Sequence, residues 1–244
     1  MGIEQKVEQL KKIIEASSYL VCICEKGMLE ETGYKDLEYS DTAYDVEEKY
    51  GYATEEIFNS AFYATRKEQF FDFYKTEILS ADVNPNDGYK VLKVLEDRGK
   101  LKSIITTGIY SLPQRVGCKS VIELHGNINS NECPHCHKKY TIDFMKNNNK
   151  VPLCTECGSV VRPGVYLYGE MLDNSVMTSA MQETERADVL MICGSSFNGL
   201  TCTNCVQYFN GNKIVLINRE PNYADSKADL VIYGEVSEIL SMLV

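Results

Sequence analysis

Residues 18–33 read SYLVCICEKGMLEETG. The run through Cys24 is apolar, short and rich in strand-favouring side chains, which predicts a buried strand over 18–24. It stops at Glu25-Lys26-Gly27. A strand that ends in a glycine-bearing turn and opens into a new segment is how a nucleotide-binding α/β domain begins, with the turn taking a pyrophosphate. Here the turn is acidic. Glu25, Glu30, Glu31, Asp36 and Glu38 stand against Lys26 and Lys35. The stretch 25–50 shows no clear periodicity and reads as a long loop.

The rest of the chain alternates in the same sense. Before the strand, Ile3, Val7, Leu10 and Ile14 mark one face of an amphipathic helix. After the acidic stretch, helical patterns cover 53–64 and 66–79, the second crowded with Phe70, Phe71, Phe73 and Tyr74. GYKVLKVLEDRG is a helix closed by Gly99, and LKSIITTG and VIELHG are strands. NSVMTSAMQETERA is a helix, DVLMICGSS a strand, and a short helix follows near 202–209. KIVLINR and DLVIYG are strands, and EVSEILSML is the last helix. Strands that read as continuous apolar runs, separated by helices, predict a doubly wound parallel sheet covered on both faces.

Composition narrows the function. The 244 residues carry a formal net charge of −10. No basic excess exists to displace phosphate counterions or to dock on an anionic membrane, so no nucleic acid and no membrane are expected as partners. No secretory signal or membrane-length apolar run is evident, and Lys6 stands where a myristoylation motif after Met-Gly wants Ser or Thr. A cytoplasmic protein is expected. Its ten cysteines would then be reduced, and their spacing is read as metal or redox chemistry first.

The spacing is informative. CPHC at Cys133 and Cys136 and CTEC at Cys154 and Cys157 form two knuckles. Four soft thiolates so arranged close a tetrahedron around Zn²⁺ and leave no open position, so the site is structural. His135 and His137 are alternative ligands or surface residues. Cys202 and Cys205 in LTCTNCV are either a redox or second metal pair or small apolar side chains. Cys22, Cys24 and Cys193 are expected in the core. The module at 127–160 is expected as a small zinc-binding domain inserted into a large domain of 1–126 and 161–244.

In this order, ITTGIYSLPQRVG, VIELHG, the knuckles, VRPGVYLYGE, ICGSS and VLINREP resemble the sirtuins, NAD-dependent protein-lysine deacylases. The resemblance runs over nearly the whole chain. It implies a Rossmann-like large domain and a zinc lobe, with NAD and an acylated lysine peptide or protein as ligands. It further implies transfer of the acyl group to ADP-ribose with release of nicotinamide, aided by a histidine general base. His125 matches that base, and an imidazole suits it because its pKa lies near the working pH. Gly27, Gln114, Gly194, Ser195, Ser196 and Asn218 match cofactor positions. Val165, Tyr168, Gly169 and Glu170 match the strand that pairs with substrate backbone. Cys133, Cys136, Cys154 and Cys157 match the zinc ligands.

The departures gather in the cofactor segments. The family's Gly-Ala-Gly turn becomes Glu25-Lys26-Gly27, and Leu29 replaces the serine that follows. Glu38 stands for an arginine in Lys35-Asp36-Leu37-Glu38. Gly108 and Tyr110 replace the asparagine and aspartate of Thr-Gln-Asn-Ile-Asp, and Pro113 replaces a histidine. These changes predict a divergent member impaired in NAD-dependent deacylation, with NAD binding itself in question, retained as a pseudoenzyme for binding or regulation. The alternative is an active NAD-dependent deacylase or ADP-ribosyltransferase with an atypical cofactor loop. A third reading is a repurposed pocket taking a cationic ligand beside Glu25 and Glu38.

Overall fold

A computed structural model describes residues 2–38, 40–148, 150–197 and 200–244, with the backbone alone at 40 and 200–202. The chain divides into two compact units. The first comprises Met1–Gly33, Asn84–Leu124 and Asp173–Val244, and the second Tyr34–Val83 and His125–Leu172. The expected insert 127–160 lies wholly in the second unit, which also takes in 34–83.

The first unit is the sheet domain. Its strands are β1 (Leu20–Cys24), β2 (Leu101–Thr106), β3 (Val121–Glu123), β6 (Val189–Cys193), β7 (Lys213–Asn218) and β8 (Leu230–Tyr233). Among the described residues they form one six-stranded sheet in the order β3-β2-β1-β6-β7-β8, parallel throughout. The order reverses between β1 and β6, whose residues pair from Leu20↔Val189 to Cys24↔Cys193. In open α/β sheets such a reversal leaves a crevice beyond the carboxyl ends of the strands, where ligands bind. Both central strands are buried along their whole length, which explains why neither alternates in polarity.

Side chains alternate across this sheet. Val21, Ile23, Ile105, Leu190, Ile192 and Leu216 point to one face and share a core with Ala180 and Cys205. Those two come from α10 (Asn174–Arg186) and α11 (Leu200–Val206), which pack together. Cys22, Cys24 and Cys193 occupy the other face, fully buried as expected. In this unit α7 (Asp87–Asp97) packs on α12 (Val236–Ser241) and β2, and α1 (Ile3–Ala16) on β8. The turn helix α2 (Lys26–Glu30) and the single turn α8 (Leu112–Arg115) follow β1 and β2.

The second unit holds α3 (Ser40–Tyr50), α4 (Thr54–Ile57), α5 (Ser60–Thr65), α6 (Lys67–Phe73), a π-helical turn Tyr74–Leu79, and the small strands β4 (Asn131–Glu132) and β5 (Lys139–Tyr140). The helix α9 (Ile142–Asn147) packs against the π turn. Stacked and edge-on rings of Phe58, Tyr63, Phe70 and Tyr74 fill its interior, with Phe70 and Tyr74 centred 5.7 Å apart.

Two expectations need correction. The stretch 25–50 is not a loop: it contains α2 and α3. Among the described side chains only Met28 and Leu29 of α2 and Val46 of α3 are buried, so these helices bury too few side chains to show a period. The helices expected at 53–64 and 66–79 are four shorter pieces. The Asn59 carboxamide accepts from the Ala61 amide at 2.9 Å and starts a new helix there, and the last piece widens into the π turn. Among the described residues no helix is long and apolar enough to cross a membrane.

Candidate active site

The carboxyl ends of the central strands are stitched together by backbone. Glu25 donates its N–H to Cys193 at 3.0 Å, Gly27 to Gly194 at 2.8 Å, and Gly194 to Ile217 at 2.9 Å. Asn218 accepts from the Gly234 amide at 3.0 Å, and its own amide donates to the Glu220 carbonyl at 3.1 Å. Gly27, Gly194 and Asn218 therefore meet along one edge of the sheet, with Ser195 and Ser196 half-buried beside Gly194.

Gly27 has a packing role that sequence alone did not reveal. A Cβ there would lie 2.7 Å from the Gly194 oxygen, and a Cβ on Gly194, at φ +71°, would lie 2.3 Å from the Met28 nitrogen. The two glycines let one backbone rest on the other. Gly27→Ala is expected to lower stability by about 1–3 kcal/mol, as overpacking does, measured by urea denaturation.

The acids of the turn are engaged differently, though Glu30 and Glu31 both approach Arg219. Glu31 escaped sequence reasoning altogether. Its carboxylate accepts from the amides of Val236 and Ser237 at 2.6 and 2.8 Å and caps α12. Glu30 lies 3.7 Å from Arg219. The only hint in the sequence was Val236 and Ser237 opening an apolar helix without a preceding Ser, Thr, Asp or Asn. Glu38 accepts from the Tyr168 hydroxyl in the second unit.

Glu25 differs from these. Burial pushes its carboxyl up to about 7, against the opposing influence of the Thr107 hydroxyl. Its Oε1 is buried without a partner. A carboxyl whose folded pKa is raised favours the folded state below its unfolded value, and that contribution is lost as pH rises through the folded value. Stability is therefore expected to fall between about pH 4.5 and 7, and Glu25→Gln should flatten that part of the profile in thermal melts.

Gln114, in α8, also has a buried oxygen, Oε1, without a partner. Two buried oxygens without partners, on segments that the resemblance gives to the cofactor, suit a ligand that brings hydrogen-bonding groups. The ribose hydroxyls and carboxamide of NAD are such groups, and the glycine pair keeps the strand edge free of side chains. The residues present fit that cofactor.

In the second unit, His125 follows β3 and is half-buried. Its carbonyl accepts from the Tyr166 amide at 3.0 Å, and Gly126 bridges Val165. Gly126 adopts φ +68°, and a Cβ there would lie 2.1 Å from the Gly164 oxygen, so this glycine is what lets the His125 backbone lie against the segment 164–166. Burial holds the imidazole below its ordinary pKa. Val165 is buried. Tyr168 is stitched to the segment before α5: its N–H donates to Phe58 at 2.9 Å and its carbonyl accepts from Ser60 at 3.0 Å. Gly169 takes φ +82°. Glu170 accepts from Arg162 at 2.6 Å and from the Leu167 amide at 2.7 Å, closing the turn.

The same unit gathers the four cysteines. The Sγ atoms of Cys133, Cys136, Cys154 and Cys157 all lie within 4.8 Å of one another, against about 3.8 Å for thiolates in a tetrahedron with 2.3 Å zinc bonds. The two knuckles repeat one turn. His137 donates its N–H to Cys133 and Gly158 to Cys154, each at 2.9 Å, and both fifth residues are left-handed, at φ +61° and +73°. His137 instead contacts Glu132 at 2.7 Å, and His135 is exposed. The four-thiol set can hold zinc with neither histidine. Elsewhere, Cys205 is buried and its thiol is pushed up to about 11 by burial. The Cys202 side chain lies outside the described residues.

The Sir2 family pattern matches residues 27–201. The chain belongs to the Sir2 family, the sirtuins. This sirtuin is 33% identical over 245 residues to an NAD-dependent protein deacetylase of Clostridium acetobutylicum, covering 100% of each chain. It is 35% identical over 243 residues to one of Clostridium perfringens, covering 99% of this chain and 100% of the other. Among solved structures, Sir2 bound to acetylated peptide matches with TM-score 0.82 and 28% identity, over 97% of this sirtuin and 96% of that chain. A structure from work on sirtuin substrate affinity matches with TM-score 0.86 and 28% identity, over 97% of both.

Proposed function

We propose that this sirtuin is an active NAD-dependent protein-lysine deacylase acting on acetyl-lysine peptides or proteins in the cytoplasm, with a structural zinc. The observation that carries the reading is His125. Its backbone is held to Tyr166 and beside the Gly126–Val165 bridge, and burial keeps its ring neutral near pH 7. A neutral imidazole held by a rigid backbone is ready to take a proton. NAD, when bound, supplies the ribose carbon to which the acyl group passes. Gly27, Gly194, Ser195, Ser196, Asn218 and Gln114 would hold it, and the strand at Val165, Tyr168, Gly169 and Glu170 would orient the peptide. Full-length similarity to proteins named NAD-dependent protein deacetylases supports the same reading.

A second reading is favoured by one observation. Glu25 puts a buried carboxyl where the family has its first turn glycine, while Gly108 and Tyr110 remove two polar groups from the cofactor segments. On that reading the chain is impaired in deacylation and serves binding or regulation. Incubation of the protein with an acetyl-lysine peptide, with and without NAD, separates the two. Free lysine peptide forming only with NAD is expected; an unchanged peptide at high enzyme concentration supports the second reading. ADP-ribose attached to protein, with the peptide unchanged, would identify a transferase instead.

A further inference from the structure

Glu25 is an acid of the turn that the fold leaves incompletely used. Glu31 is taken up by the amides of α12, Glu30 faces Arg219, and Glu38 accepts from Tyr168. Glu25 sits where β1 meets the crevice at the reversal of strand order. Its backbone is fixed to Cys193, two residues before Gly27 meets Gly194. Its Oε1 is buried with nothing to bond.

A carboxylate in that position has two ways to meet a dinucleotide, whose phosphates are anionic. Charged, it repels them, the more strongly because burial removes the screening of water. Neutral, it becomes a hydroxyl donor and meets the same phosphate or a ribose oxygen with a hydrogen bond. Burial already biases the free protein towards the neutral form. We infer that Glu25 is a cofactor-binding residue that holds the dinucleotide as a neutral carboxylic acid, so that NAD binding above neutral pH draws a proton from solvent onto the Glu25 carboxylate. The inference rests on the reading of this sirtuin as an NAD-dependent deacylase. It turns the departure from the family's glycine into a proton-linked contact.

The groups around Glu25 leave the effect attributable. The Thr107 hydroxyl beyond β2 does not titrate in the neutral range. From α11, the Cys205 thiol is pushed up to about 11 by burial. Cys193, at the end of β6, is also raised: its bond to Cys22 lowers it, but burial together with the neighbouring Cys24 and Glu31 outweighs that bond. Lys26, next in the chain, is exposed. Glu31, just after α2, is raised by burial against its bonds to α12, and it stays in place when Glu25 alone is changed.

Calorimetric titration of the full chain with NAD, at pH 6 and pH 8 in buffers of different ionisation enthalpy, counts the protons. NAD itself has no group that titrates in this range. With the free carboxyl at about 7, uptake should be about 0.9 proton at pH 8 and about 0.1 at pH 6, and the Kd should weaken about tenfold between them. Glu25→Gln should abolish the uptake and make the Kd the same at both values. Binding of NAD by the wild-type protein without proton uptake overturns the inference and leaves the deacylase reading intact. Binding by Glu25→Gly but not by wild type at either pH also overturns it, because Glu25 then excludes the cofactor. If neither protein binds NAD, the deacylase reading fails with it.

Discussion

Removing the metal from the four-cysteine centre with a chelator is expected to unfold the knuckle segment and to lower the melting temperature sharply. Structural zinc contributes about 10–16 kcal/mol of apparent binding free energy at neutral pH, and in a small module that is folding free energy. The knuckle segment carries little regular structure. Among the described residues around Cys133–Cys157 it consists of the two-residue strands β4 and β5, the six-residue α9 packed on the π turn, and the two repeated turns. Metal analysis should return one zinc per chain, and Cys154→Ser should lose it. Circular dichroism and limited proteolysis across 131–161 read the outcome. An unchanged melting curve in a protein shown to be metal-free would refute the assignment.

His125→Ala is expected to lower kcat by about 10²–10⁴-fold, the range lost with a positioned general base. Binding of NAD and peptide should remain, since the backbone contacts of residue 125 do not depend on its ring. The pH profile supplies the sign. Burial lowers the imidazole pKa, and a base works when unprotonated. At saturating NAD, kcat should therefore rise with pH and level off, with its midpoint below about 6.5, the ordinary histidine value. A structural histidine would leave that midpoint unmoved when replaced. Full activity in His125→Ala would remove the residue from the chemistry.

The sheet was legible because its strands are uninterrupted apolar runs. LVCIC and VLMIC lie in the centre, buried on both faces, and no other environment in a soluble domain suits them so well. The four thiols were legible because two CxxC knuckles at that spacing are the pattern that brings four sulfurs together. What escaped were contacts between residues far apart in sequence. Glu31 caps a helix that begins some two hundred residues later, and nothing local distinguishes it from Glu30. Gly27 read as a cofactor residue, yet its close approach to Gly194 requires glycine whether or not a ligand binds. The helices α2 and α3 were missed because a helix that buries one or two side chains leaves no period to read. Of the acids that read as a single charged loop, Glu31 caps a helix terminus, Glu30 faces an arginine, Glu38 meets a tyrosine and Glu25 is a buried carboxyl.

The central claim is that this sirtuin couples NAD to the removal of an acyl group from lysine. The direct measurement follows nicotinamide and free lysine peptide together, by mass spectrometry, from one reaction of the wild-type protein with NAD and an acetyl-lysine peptide. The account predicts equal molar amounts of the two at every time point, and neither product in the absence of peptide. Nicotinamide released without free lysine, or no nicotinamide at all, would contradict it.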